Sequence, residues 1–132
     1  MEDFINFDKA EKINVYNDGQ VKTYNAGVQQ YSDILNCWNE TVKDAHDMPA
    51  FGVSLNNYTV EEMKKGLWVE FDFNKTLTHN EMPFERLLIN VNDGNSGFNL
   101  IRYNGECGYD GRCFYFDLVE KTTTDLYNLL LG

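Results

Sequence analysis

Residues 67–73 read Leu-Trp-Val-Glu-Phe-Asp-Phe, and their strict alternation constrains the fold more than any other feature of the chain. Leu67, Val69, Phe71 and Phe73 fall on one side of an extended backbone, with Trp68, Glu70 and Asp72 on the other. That period belongs to a strand with one dry face and one face that is wet or covered by something polar. Three runs of similar character follow at 84–91, 98–103 and 112–119, rich in aromatic and branched residues and bounded by Gly, Asn, Asp or Pro. Four such runs in succession predict an antiparallel meander, with the rest of the chain as its cover or extension.

The connections follow from composition. Residues 74–82 are long and polar and are expected to form a mobile loop, with Pro83 where a strand can begin. Residues 92–97 are hairpin-like, and they lack the carboxylate spacing and closing Glu of a calcium loop. Residues 104–111 hold three glycines, without the spacing or following helix of a phosphate-binding loop.

Upstream, Asp18-Gly19 separates two alternating runs within residues 12–25, and a tight turn there needs residues that tolerate positive φ. Ile13 and Val15 are expected to pair near Val21 and Thr23, in an N-terminal hairpin that must join the sheet to be stable. From Gly27 the period changes. Val28, Tyr31, Leu35, Trp38, Val42 and Ala45 recur three or four residues apart, with Ile34 on the same side. This predicts an amphipathic helix of about five turns, stopped by Pro49, that lays Tyr31 and Trp38 on the dry face of the sheet. An extended run is expected at 50–55. A short helix should follow, capped by Thr59 with Glu62 reaching back, stapled by Tyr58 and Met63, and stopped at Gly66. Thr122 to Asp125 cap a C-terminal helix with Leu126, Leu129 and Leu130 inward. The expectation is one α+β domain over residues 1–132: a meander of four or more antiparallel strands, an N-terminal hairpin, one long amphipathic helix on the sheet, a short capped helix and a C-terminal helix.

Charge bounds the partners. The chain has 21 acidic against 11 basic residues, a formal net charge of −10, with acids spread over Asp33, Glu40, Asp44 and Asp47 and over Glu61, Glu62, Glu70 and Asp72. Such a field repels nucleic acid and anionic membranes and attracts basic partners. No stretch is long and apolar enough to span a bilayer, and the N-terminus carries no basic region or apolar run of a signal peptide, which points to a cytoplasmic protein. The odd set Cys37, Cys107 and Cys113 fits reduced thiols, although Cys107 and Cys113 are near enough to pair in an exported protein.

No nucleophile, acid–base or metal constellation is legible, because His46 and His79 stand apart from any thiol or carboxylate partner unless folding supplies one. No catalytic residue, metal or cofactor is therefore expected. In a meander, the polar side of the sheet would carry Trp68, Glu70, Asp72, Arg86, Asn90, Arg102, Cys113, Tyr115 and Asp117. Across facing strands, Glu70, Arg86, Arg102 and Asp117 would form a ladder of alternating sign. Trp68, Glu70, Asp72, Arg86, Arg102, Tyr115 and Asp117 are thus the expected recognition surface of a non-enzymatic binding protein that engages a basic protein partner, as inhibitors and immunity-type proteins do. The alternative is a small-ligand-binding or enzymatic domain with a pocket between helix and curved sheet.

Overall fold

The computed structural model describes residues 5–48 and 52–131. Seven strands form one antiparallel sheet: β1 (Lys12–Asn17), β2 (Gln20–Asn25), β3 (His46–Met48), β5 (Leu67–His79), β6 (Met82–Asn90), β7 (Gly97–Tyr103) and β9 (Phe114–Asp117). Their order across the sheet is β2-β1-β5-β6-β7-β9-β3. A separate two-stranded ribbon pairs β4 (Val53–Ser54) with β8 (Gly111–Arg112). Three α-helices, α1 (Gln29–Val42), α2 (Asn56–Glu62) and α3 (Thr124–Leu131), and one 3-10 turn at Phe7–Lys9 complete the described chain. The fold is the expected α+β arrangement, with the meander β5-β6-β7-β9 at its centre.

The hairpin forms for the reason given by its turn. Asp18 and Gly19 take φ values of 49° and 89°, the double left-handed step whose twist matches the flanking strands. Val15 pairs with Lys22 and Ile13 with Tyr24, and β1 continues the sheet by pairing Ile13 with Phe71 and Val15 with Val69. Asp18 also ties the turn to the start of β5, since its N–H donates to Gly66 O at 2.9 Å and its Oδ1 accepts from Gly66 N at 2.8 Å.

Helix α1 buries Tyr31, Ile34, Leu35, Trp38 and Val42, the expected stripe, while Val28 is exposed. Trp38 is fully buried, with its ring centroid 5.0 Å from those of Phe7 and Phe71 and 5.4 Å from that of Phe98. The dry face of the sheet supplies Leu67, Val69, Phe71, Phe73, Leu87, Ile89, Phe114, Phe116 and Leu118 to the same cluster.

Four local expectations are corrected. Helix α1 ends at Val42, about one turn early, because His46–Met48 leaves the helical pattern to pair with β9 as an edge strand. Pro49, expected to stop the helix, and Ala50 and Phe51, expected to open the extended run, lie outside the described residues. Residues 74–82 are not a loop but the continuation of β5 into β6. A register shift between Asp72 and Leu77 takes up Asn74 at φ 56°, and Asn80 and Glu81 turn the chain at φ 51° and 64°. Thr59 does not cap α2 but lies inside it, with its hydroxyl 2.5 Å from Ser54 Oγ, and Tyr58 is too exposed to act as a staple. Asp110 takes the capping role from 54 residues away by accepting from Asn56 N at 2.5 Å.

Candidate functional site

On the polar side of β5, hydrogen bonds converge on one buried carboxylate. Glu70 has no exposed surface, and three donors converge on its carboxylate. Asn14 Nδ2 donates to Oε1 at 3.1 Å, the Tyr16 hydroxyl to Oε1 at 3.0 Å, and the Tyr109 hydroxyl to Oε2 at 2.5 Å. Arg86 completes the group, 3.7 Å from Glu70 and 3.5 Å from Asp72, with its guanidinium 4.4 Å above the Tyr103 ring. Lys12 stands 3.8 Å from Asp72 at the rim.

Register explains the assembly. Asn14 lies opposite Glu70 in the β1–β5 pair and Tyr16 opposite Trp68, so both point to the Glu70 side of the sheet. Arg86 pairs with Asp72 on one flank and with Tyr103 on the other. Tyr109 arrives from the glycine-rich segment 104–110, which folds back over the sheet. Asn104 and Gly108 form a bridge there, and Asn56 at the start of α2 accepts from Tyr109 N at 2.9 Å. Met63, Trp68, Leu88 and Tyr109 form a second apolar cluster around the carboxylate, with Tyr16, Ile101 and Tyr103 packed against it. The end of α2 and the segment 104–110 lie against this face, through Met63 and Tyr109.

Burial, reinforced by the negative charge of Glu70, pushes the Tyr16 and Tyr109 phenols well above their ordinary value. For Arg86, burial acts against the charge, but Glu70 and Asp72 outweigh it and hold the guanidinium above its usual range. The result is a closed charge network. A carboxylate without exposed surface and saturated with donors has no route to an outside substrate, so the cluster cements the α2 side of the molecule to the sheet.

The expected recognition residues therefore separate. Trp68, Glu70, Asp72 and Arg86 come together, but the first three are buried, and Trp68 Nε1 is spent on Lys65 O at 2.8 Å. The expected ladder ends at Arg86. Arg102 pairs with Leu87, which places it on the opposite face, and it donates to Pro83 O and Arg112 O, each at 2.7 Å. Strand β7 thus runs in the opposite phase to the one expected, with Ile101 and Tyr103 on the Glu70 side. Tyr115 and Asp117 keep that side but lie on β9, three strands from β5. Tyr115 covers Gly97, where an added Cβ would collide with its ring, and Asp117 Oδ1 accepts from Val119 N at 2.9 Å.

Sequence reasoning missed Asn14, Tyr16 and Tyr109. Alternation with Ile13 and Val15 was a usable signal for the first two, whereas nothing local marked Tyr109. Folding does supply a carboxylate to one histidine: buried His79 contacts Asp47 through Nε2, and its ring meets Phe114 edge-on at 5.1 Å. The pair clips β3 to the far end of the β5–β6 hairpin. All three cysteines are free thiols, with Cys107 exposed and Cys113 buried. Among the described residues no three His, Cys, Asp or Glu side chains gather as a metal site, and no helix is long and apolar enough to cross a membrane.

Exposed acids are spread over the surface, Glu61, Glu106 and Asp110 among them, and several also lie on the opposite, helical layer. Asp33 and Glu40 share the outer side of α1 seven residues apart, Asp44 follows just past its end, and all three are exposed. Asp125 of α3 joins them across a groove of about 430 Å³ lined by Cys37, Glu40, Thr41, Lys121, Thr122 and Asp125. Lys121 is the cation there, donating to Glu40 O at 2.7 Å and standing 3.8 Å from Asp44. No protein-family model matches the chain, and no curated protein or solved structure is significantly similar to it.

Proposed function

We propose that the protein is a non-enzymatic binding protein whose acidic helical layer engages a basic protein partner, in the manner of an inhibitor or immunity-type protein. The supporting observation is the exposed stripe of Asp33, Glu40 and Asp44 with Asp125 beside it, in a chain of net charge −10. The sheet face first expected to recognise the partner is unsuited, since its carboxylates are buried and neutralised within the fold. A cytoplasmic setting agrees with the free thiols of Cys37, Cys107 and Cys113. The space between α1 and the centre of the sheet is filled by the rings of Phe7, Trp38, Phe71, Phe98 and Phe116, so the alternative reading of a ligand pocket between helix and sheet would have to use the cleft of about 540 Å³ beside the hairpin, lined by Val15, Tyr24, Ile34 and Leu130.

The test is kinetic. A cationic protein captured from the host should associate rapidly at low salt and far more slowly when the Debye length shrinks toward about 3 Å near 1 M salt. Reversal of the stripe as Asp33→Lys, Glu40→Lys and Asp44→Lys should slow association more than it speeds dissociation. An association rate indifferent to both salt and reversal would refute the proposal.

A further inference from the structure

The sheet has two edges of different character. Strand β3 has only three residues, carries Asp47 and follows Asp44 closely. Strand β2 has six, Gln20–Asn25, without Pro, Gly or an acid among them. A two-residue turn makes Asn17 and Gln20 the closing hydrogen-bonded pair, so Val15–Lys22 and Ile13–Tyr24 also exchange hydrogen bonds. The peptide groups of Val21 and Thr23 therefore point outward, and no described residue bonds to them. Natural proteins seldom leave so long an edge open.

Beside this edge the helical layer falls short of the sheet. A cleft of about 540 Å³ opens between the hairpin, the start of α1 and the end of α3, lined among others by Val21, Lys22, Tyr24, Asp33, Leu129 and Leu131. Leu129 and Leu131 are 39% and 48% exposed on the helical side of this edge, and Val21, paired with Tyr16, is 52% exposed on the other side, so apolar surface flanks the unpaired backbone on both faces. The charge is also local. Residues 12–30 hold two lysines and one aspartate, which leaves −11 on the rest of a chain whose total is −10. This is the edge at which two copies of so acidic a protein can meet without opposing their fields.

We propose that β2 is the seam of a symmetric dimer, in which two copies pair antiparallel to make one continuous sheet. A two-fold axis through Thr23 sets Thr23 against its own copy and lays each Lys22 beside the Tyr24 ring of the other; it also pairs the outward peptide groups of Val21 with those of Asn25 in the second copy, whose carbonyl takes the Val28 N–H at 3.3 Å and has a second lone pair for the seam. The two Lys22 side chains lie diagonal to one another, so the lysine that would ordinarily discourage edge pairing is accommodated. The axis is perpendicular to the sheet and keeps both helical layers on the same side, so Leu129 and Leu131 of one copy close over the cleft of the other. The interface is isologous and closes at two.

Sedimentation of the full chain at micromolar concentration should give twice the monomer mass of 15.3 kDa. Val21→Pro removes an outward N–H that β1 does not use, and it should yield a folded monomer with the parent circular dichroism spectrum. Leu131→Asp, on the exposed end of α3, should raise the dimer dissociation constant at least about tenfold. Thr23→Cys, made in a Cys107→Ser background, should cross-link two chains on mild oxidation, since paired Cα atoms in this register lie roughly 5.5 Å apart. A monomer at ~100 µM, a dimer unchanged by Val21→Pro, or Val21 and Thr23 amides protected only by a strand from a different protein would each overturn the assignment.

Discussion

The two faces of the sheet are both buried, and they are held by opposite means. Above, α1 and α3 cover an apolar cluster in which Trp38, Phe7, Phe71 and Phe98 interlock, with Trp38 Nε1 unpartnered among the described residues. Below, α2 and residues 104–110 are fastened by a buried carboxylate whose donors come from β1, β6 and the covering segment itself. Apolar burial is nondirectional and tolerates repacking, whereas the Glu70 network works only when every member is present. The upper face supplies bulk stability, and the lower face fixes which segment lies where.

That contrast can be broken most forcefully from above. Trp38→Ala should cost about 3–5 kcal/mol by denaturant unfolding, through lost transfer energy and the cavity left behind. Trp38→Phe keeps much of the apolar area and discards the orphaned N–H, so it should cost far less. Equal losses for the two variants would show that the indole nitrogen has a partner.

From below, Glu70→Ala should cost roughly 3 kcal/mol, because it strands two phenols and an amide, while Arg86, partly exposed, keeps Asp72. Tyr109→Phe combined with it in a double-mutant cycle should show a coupling of about 1–2 kcal/mol, while Trp38→Ala with Glu70→Ala should add independently. Additivity within the Glu70–Tyr109 pair would mean that the lower face is held by packing alone.

The smallest effect is an alkaline one, and it separates the faces by pH. Tyr16 and Tyr109 have pKa values raised by folding, so the native state favours their neutral forms. Their contribution is fully present below the ordinary tyrosine value of 10.0 and is lost as pH rises above it. Stability should therefore decline above about pH 10, and less steeply in Tyr16→Phe. Ultraviolet titration of the eight tyrosines should find these two among the last to ionise. Full ionisation of all eight in a folded protein near pH 10 would contradict the network.

The upper face was legible in the sequence because its signal is periodic. Alternation in 67–73 and the three-four spacing of Tyr31, Leu35, Trp38 and Val42 each report a buried side without knowledge of what covers it. The lower face was half legible. Alternation allowed a polar cover over Glu70, but which donors would meet it depended on the β1–β5 register and on a return of the chain from Tyr109, neither of which has a local signature. The long β5–β6 hairpin was hidden because its turn is Asn80-Glu81, and Glu gives no hint of a left-handed backbone. The phase of β7 failed because Arg102 sits among apolar neighbours, with its charge satisfied by backbone carbonyls.

Helix α1 leaves β2 at one edge of the sheet and delivers the chain to β3 at the other, so the first third of the sequence straddles a meander made entirely by later residues. During synthesis the hairpin, the helix with Trp38 and the β3 strand emerge before any of β5, β6, β7 or β9 exists to receive them. The N-terminal segment must wait, with its greasy stripe uncovered, until the strands through β9 have left the ribosome. A nascent chain halted before Phe114 would lack the partner of β3 and keep one end of its clasp open.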